Sequence, residues 1–402
     1  MRRLSYAVAL LLITSPIGCS SDTTSRTNSS DDDVQDASVA ATGDDVAESE
    51  VQEPTQDVAA DVPAVPDVQT EPDVPLIVVP PHDFAATAPW YQCPTADFPD
   101  TVTIVDGFQA ADQYFGDPNL RDIQVDVDFP EEGSWAQIGL WLQLECPANG
   151  KCDHWDRTAS VSLVLDPDTD AQQRVEIARH ITPYRIGMCQ FVDVTNLAPL
   201  LRGKQRLHSW IDTWVGPGHA QGEGWRVTTR FVFYPGAGQL PKEVVNVWGR
   251  RHITVGEIEP DKNVDSQVQP VAIEVPSDAK AVLAHLTTTG HSFGNTQNCA
   301  EFCPMRHDLL VNGTAFSDDP WRADCSENPV SPQFGTWEHP RNGWCPGAIS
   351  VGTVLDITSA LEKGATNTLD LDILLSNGAE YDNLSPVDLL PYAEVSLKLY
   401  LF

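Results

Sequence analysis

The sequence predicts an all-β protein whose two jelly-roll domains lie side by side, and three observations lead there. Short stretches alternate apolar and polar residues with the period of a strand: Ile123, Val125 and Val127 against Gln124, Asp126 and Asp128, then Gln137 to Leu144 and Arg226 to Phe233. No comparable stretch carries the period of a helix. Gly and Pro, 26 and 31 of them in 402 residues, recur throughout, as short strands joined by tight turns require.

The two domains follow a leader and a linker. Tyr6 to Ile17 is the only long apolar run, and Arg2 and Arg3 precede it. That length suits the core of a signal peptide and falls short of the ~20 residues of a membrane span. Gly18-Cys19-Ser20-Ser21 then has the small-residue-then-cysteine pattern of a lipoprotein cleavage site, so residues 1–18 read as a lipoprotein signal and Cys19 as the lipidated N-terminus. An ordinary secreted protein cut nearby is the competing reading. Residues 19–83 form an acidic, Pro-rich linker in which Arg26 is the single basic residue. It holds too little apolar surface to offset the entropy of ordering a chain, so it reads as an extended, disordered tether. The linker supplies much of the formal net charge of -34. Such a balance excludes nucleic-acid binding, which needs clusters of Lys and Arg against phosphate, and leaves the lipid anchor as the only contact with a membrane.

Setting Cys19 aside leaves eight cysteines, an even number in an exported chain. Close spacing pairs Cys146 with Cys152, Cys299 with Cys303 and Cys325 with Cys345, which leaves Cys93 to Cys189. Thiolate metal sites compete for the same residues, but the spacings make no CxxC pair of pairs. The expectation is therefore disulfides and an oxidising compartment, the cell envelope or beyond it, with no metal and no cofactor.

Within the folded part, breakers cluster from Tyr234 to Pro241 and strands resume at Val244, which places the domains at residues 84–237 and 238–402. The residues before Thr101, including Cys93, would be either a pairing strand or a small lid. The second domain repeats the theme with Val271 to Val275, Ala281 to Thr289 and His307 to Val311. In its last strand Val395, Leu397, Leu399 and Leu401 alternate with Glu394, Ser396, Lys398 and Tyr400. The cleft between the domains, or the rim where their loops meet, is the expected ligand site.

Three acidic residues stand out by their company. Asp156 closes the stretch Cys146 to Arg157, where a small disulfide loop would hold a carboxylate at the mouth of the following strand. That strand, to Leu165, alternates so that Asp156, Thr158, Ser160 and Ser162 form a polar face opposite Ala159, Val161 and Leu163. Asp212 lies in His208-Ser-Trp-Ile-Asp-Thr-Trp214, whose alternation would put His208, Trp210, Asp212 and Trp214 on one face; indole and carboxylate together suit a sugar, although ordinary packing explains the pattern equally well. Glu301 lies between Cys299 and Cys303, inside a tight ring if they pair.

Taken together and in order, Cys152-Asp-His-Trp-Asp-Arg157, Ile181-Thr-Pro-Tyr184, Asp212-Thr-Trp214, Gly290-His291, Cys299-Ala-Glu-Phe-Cys303 and Arg341-Asn-Gly-Trp-Cys-Pro-Gly347 resemble the bacterial peptide-N-glycosidase F family over Thr101 to the C-terminus. The resemblance implies two adjacent eight-stranded antiparallel jelly rolls. It also implies an amidase that cuts between an asparagine side chain and the first N-acetylglucosamine of an N-linked glycoprotein or glycopeptide, leaving aspartate. On it, Asp156 and Glu301 occupy the two principal acid positions and Asp212 a third, where the family has glutamate. Phe302 stands where the family has tryptophan. Trp155, Trp214 and Trp344 would wall the sugar site with His291 and Phe302, and Arg157 and Arg341 would supply fixed positive charge.

Two rival readings use the same fold. A lipid-anchored glycan- or glycopeptide-binding protein would keep the scaffold without turnover, with the Asp212 and Phe302 departures marking the loss. A copper-dependent monooxygenase needs histidine clusters, whereas the ten histidines here are scattered.

Overall fold

A computed structural model describes residues 82–148, 150–255, 264–292, 300–379 and 391–402. The expected leader, Cys19 and nearly all of the linker lie outside the described residues, as does Cys299 of the expected Cys299–Cys303 pair. Among the described residues no helix is long and apolar enough to cross a membrane.

The chain folds as antiparallel sheets. Its first half contributes β1 (Thr103–Asp106), β2 (Ala111–Gln113), β3 (Asp122–Phe129), β4 (Trp135–Glu145), β5 (Thr158–Leu165), β6 (Gln173–Ile181), β7 (Met188–Asp193), β8 (Gly203–Ile211) and β9 (Trp225–Pro235). The second half contributes β10 (Glu243–Thr254), β11 (Val271–Val275), β12 (Val282–His291), β13 (Met305–Val311), β14 (Thr314–Asp318), β15 (Trp321–Arg322), β16 (Arg341–Asn342), β17 (Ala348–Ser350), β18 (Thr353–Asp356), β19 (Ala365–Leu375) and β20 (Tyr392–Leu401).

In the first sandwich one sheet runs β1-β9-β4-β7, with β2 also on β9, and faces a second in the order β17-β6-β5-β8-β3. Leu140, Leu142, Val161, Leu163, Phe231 and Phe233 are buried between them. In the second sandwich β10-β20-β12-β18 faces β11-β19-β13-β14, closing on Leu286, Leu309, Leu371, Leu397 and Leu399. These are the two jelly-roll-like units that the alternation implies. Strand β17 crosses over: Ala348, Ile349 and Ser350 pair with Ile181, His180 and Arg179 of β6, so a piece of the second half completes a sheet of the first.

The N-terminal residues before Thr101 pack against β7. Cys93 is joined to Cys189, Gln92 bridges Gln190, and Phe84 and Phe191 belong to a small satellite core. Cys146–Cys152 and Cys325–Cys345 are also joined.

The alternating polar faces of β5 and β20 do not meet water; they meet each other's sandwich. Ser160 and Ser162 are buried, and so are Glu394, Ser396, Lys398 and Tyr400. A polar face can be buried only where it is hydrogen-bonded, and here each sandwich supplies partners to the other. Thr158 donates to Glu394 (3.0 Å), and Glu394 also takes both contacts of Arg250 (2.9 and 3.0 Å). Arg179, 1% exposed, forks onto Glu176 through Nε (3.0 Å) and Nη2 (2.7 Å). It reaches across to the Glu394 carbonyl, Thr289 and Ser396 of the second sandwich, and Ser396 donates back to Glu176.

Burial works against a charged Glu176, yet Arg179, then Lys398 and Ser396, hold its pKa down at about 2. Because the folded value lies below the unfolded one, the linked stability is present above about pH 4.5 and is lost as pH falls toward 2. Arg179→Met leaves this carboxylate buried without its guanidinium, and urea unfolding is expected to show a loss of about 3–5 kcal/mol, partly recovered by adding Glu176→Gln. A loss under about 1 kcal/mol would mean that the interface does not depend on this pair.

Candidate active site

The turn between the Cys146–Cys152 loop and β5 is clasped from both sides by one residue. The Thr182 hydroxyl accepts the Arg157 N–H (2.8 Å) and donates to the Trp155 carbonyl (3.1 Å), which fixes the backbone around Asp156. The carboxylate that the disulfide loop itself anchors is Asp153, beside Cys152. It is fully buried and accepts from the Trp155 N–H (3.1 Å), Arg157 Nε (2.8 Å) and the Thr213 hydroxyl (2.7 Å). The sequence reading passed over Asp153; its signal was the position directly after a paired cysteine. Asp156 is left free to face outward, with 16% of its side chain exposed.

The second sandwich supplies the facing wall. Glu301 accepts the Ser292 N–H through Oε2 (3.1 Å), while its own N–H donates to the Ser292 carbonyl, so a reciprocal pair sets it at the end of β12. Arg341 donates to Glu301 Oε1 through Nε (3.1 Å) and lies 3.7 Å from Asp156 Oδ2 through Nη2. Two carboxylates from opposite halves of the chain thus converge on one guanidinium. Arg341 is itself fully buried, and it also donates through Nη1 to the His339 carbonyl (2.8 Å) and through Nη2 to the Thr336 hydroxyl (2.9 Å). Its plane is packed over Trp344 and Phe302, 4.7 and 5.2 Å from the ring centres. The turn that lets Arg341 and Trp344 flank one space needs Gly343: its φ is +79°, and a Cβ there would stand 2.1 Å from the Thr288 carbonyl oxygen.

A donor chain ends on Asp156. Thr336 accepts from Arg341 and pairs with the Tyr184 hydroxyl (3.2 Å), which in turn hydrogen-bonds the Asp156 carboxylate. Tyr184, quoted above only within a motif, is therefore a direct partner of the candidate acid. Burial pushes the Asp156 carboxyl up, against the pull of Tyr184, Arg341 and Arg157. Glu301 is pushed up to about 7 by burial and by the Asp156 charge, with Arg341 opposing.

The other expected residues divide into a surface and a supporting layer. Trp155 and Trp214 are exposed, 49% and 52%, as an apolar recognition surface requires. Arg121 lies against Trp214 (4.4 Å) and Phe115 (4.8 Å) and 3.8 Å from Asp212. Asp212 begins just beyond β8, its N–H donating to the Thr158 carbonyl, and burial raises its carboxyl. The Arg157 charge bears on both Asp156 and Asp212, and the charges of Asp212, Glu301 and Glu394 bear on Tyr392.

The single aromatic face expected from His208 to Trp214 is not continuous. His208 is buried against Asp122 (2.9 Å) and Trp210 stacks under Arg250 (3.7 Å), because β8 is an inner strand whose face the second sandwich covers. Trp344 and His291 are likewise buried, 3% and 7% exposed. They stack on each other, with the Trp344 N–H held by the Gly290 carbonyl; Tyr392 stacks on His291, and Arg341 lies over Trp344. Among the described residues no group of three or more His, Cys, Asp or Glu side chains is arranged to hold a metal ion.

Comparison with known proteins bears on this arrangement. Residues 260–386 match the family model of the peptide-N-glycosidase F C-terminal domain. Over 289 residues the chain is 27% identical to peptide-N(4)-(N-acetyl-beta-D-glucosaminyl)asparagine amidase F of Elizabethkingia miricola, covering 66% of this chain and 76% of that protein. The fold superposes on PNGase F of Flavobacterium meningosepticum, described as a glycosylasparaginase, with a TM-score of 0.64 and 22% identity over 75% of this chain and 96% of that one. PNGF-II superposes with a TM-score of 0.59 and 17% identity, over 75% and 65%. In sequence and in fold, this chain is similar to proteins of the peptide-N-glycosidase F family.

Proposed function

We propose that the protein is an amidase that hydrolyses the bond between an asparagine side chain and the proximal N-acetylglucosamine of N-linked glycoproteins or glycopeptides, releasing the glycan and leaving aspartate. The observation that carries this reading is the convergence of Asp156 and Glu301 on Arg341 beneath an aromatic rim. An amide is a poor electrophile with a poor leaving group, so water must lose a proton as it attacks and nitrogen must gain one as it leaves.

Asp156 is the partly exposed acid, and a carboxyl raised by burial is a better base near neutral pH. It takes a proton from water as the oxygen bonds to the amide carbon. It then returns that proton to the nitrogen as the carbon–nitrogen bond breaks, so the products are a carboxylic acid and a glycosylamine. Glu301, whose two oxygens already accept hydrogen bonds, orients the substrate's N–H groups as a further acceptor. Arg157 supplies positive charge to the developing oxyanion, since Asp153 fixes it through Nε alone. Arg341 is a positioning residue rather than a direct oxyanion donor, because it is fully buried and each of its three nitrogens already donates to a protein acceptor. Asp212, Trp214 and Trp155 form the sugar side, and Asp212 and Phe302 bear on which glycan is accepted.

The disulfides Cys93–Cys189, Cys146–Cys152 and Cys325–Cys345 fit an oxidising compartment, and Cys19 would tether the enzyme to the envelope membrane by its lipid alone.

Mass spectrometry of a denatured N-glycopeptide after incubation with the protein is expected to show asparagine converted to aspartate and the intact glycan released. Asp156→Asn should abolish conversion with the near-ultraviolet circular dichroism unchanged; an active Asp156→Asn protein rejects the assignment. Glycopeptide binding without conversion by the wild type would instead favour the binding-protein reading.

The pH profile tests the pair. With Glu301 near 7 and required as an acceptor, kcat/KM should rise with pH through about 7. Glu301→Gln removes the negative neighbour of Asp156, so the residual activity, lower by roughly 10²- to 10⁴-fold, should have its acid limb shifted to lower pH. A limb that stays in place would assign it to another group.

A further inference from the structure

We propose that a cavity of about 490 Å³ between the two sandwiches, lined by Glu176, Arg179, Lys398, Ser350 and apolar side chains, binds a small carboxylate with a hydrocarbon body. The cavity is bounded by β6, β12, β17 and β20 and roofed by the N-terminal residues around Phe84 and Tyr91. Asp156, Glu301 and Asp212 are not among its lining residues.

The argument starts from Lys398. Its side chain is 3% exposed, lines the cavity, and makes no hydrogen bond or ion pair among the described residues. A buried ammonium without a partner is costly, and burial lowers this one to about 8. Glu176, whose charge bears on it, is already hydrogen-bonded by two nitrogens of Arg179 and by Ser396. Of the four charged side chains that line the cavity, Glu176, Asp193, Arg179 and Lys398, only Lys398 makes no hydrogen bond among the described residues. The Ser350 hydroxyl lines the same space, buried and without a partner.

The histidine there offers nothing further. His285 Nε2 must donate to the Val351 carbonyl (2.6 Å), so Nδ1 accepts from the Tyr400 hydroxyl (2.8 Å); burial keeps the ring neutral, with its pKa lowered to about 3. Asp193 lies at the exposed rim and is taken by Thr195.

The Lys398 ammonium and the Ser350 hydroxyl are thus open to a ligand, set among Ile177, Val192, Leu197, Ile349 and Val351. An inorganic anion would satisfy the head and leave the apolar walls unfilled, and an alcohol would do the reverse. A monocarboxylate with a short alkyl or aryl chain satisfies both, and the volume lies in the range of small-molecule sites.

The test uses the full chain and hexanoate, with 1-hexanol and inorganic phosphate as comparisons, by isothermal titration calorimetry. Hexanoate is expected to bind with one site per chain and to outcompete both comparisons. Lys398→Met should weaken it by roughly tenfold or more, the effect of losing a hydrogen bond to a charged group, while glycopeptide conversion is unchanged. Should Lys398→Met fail to fold, Ser350→Ala removes a single oxygen and should weaken hexanoate several-fold. No saturable hexanoate binding, equal binding of hexanol, binding of phosphate alone, or affinity indifferent to both substitutions would each overturn the proposal. The proposal does not rest on the amidase reading, and either can fail alone.

Discussion

Arg179 is the constraint on which the rest of this structure depends. It sits on β6 of the first sandwich, pairs with Glu176 on the same strand, and spends its remaining donors on the second sandwich at Thr289, Ser396 and the Glu394 carbonyl. A planar guanidinium held at both ends transmits orientation as well as attraction. The candidate active site needs that orientation, because Asp156 and Arg157 come from one sandwich and Glu301 and Arg341 from the other. Shearing the sandwiches by an ångström would part Asp156 from Arg341 while leaving both hydrophobic cores whole.

Within the site the same chemistry recurs with a different outcome. Glu176 and Glu301 are both buried carboxylates beside an arginine. Glu176 has a fork, a serine and a nearby lysine, and its pKa falls to about 2; Glu301 has one arginine nitrogen, a backbone N–H and the opposing charge of Asp156, and rises to about 7. Arg341 divides its charge between two acids, and burial decides the rest. The first arrangement suits structure and the second suits proton chemistry near neutrality.

The polar interface between the sandwiches therefore has two separate consequences. On one side it brings Asp156 and Glu301 together on Arg341. Elsewhere it leaves a partly apolar cavity in which Lys398 makes no hydrogen bond among the described residues. A seam of fully apolar residues would have joined the sandwiches with less electrostatic cost, and could have supported neither.

Much of this was legible in the sequence. Two-residue alternation and the Gly and Pro punctuation determine the all-β class, because a pleated strand has no other way to bury one face. The motifs around Asp156, Glu301 and Arg341 single out segments that the structure brings together. Alternation reports only that two faces differ, and is silent on what covers the polar one. It could not show that the polar faces of β5 and β20 are buried against the opposite sandwich, that Trp344 and His291 support the site from below, or that β17 belongs to the sheet of β6. Nor could spacing distinguish Asp153, which pins the loop, from Asp156, which faces the cleft three residues later. Those outcomes depend on contacts between residues more than a hundred positions apart, such as Thr158 with Glu394 and Arg179 with Thr289, which exist only once both sandwiches have formed. The sequence by itself determined which residues had to be present; the packing of one sandwich on the other decided which of them meet, and so which are acids, which are supports and which are left without a partner.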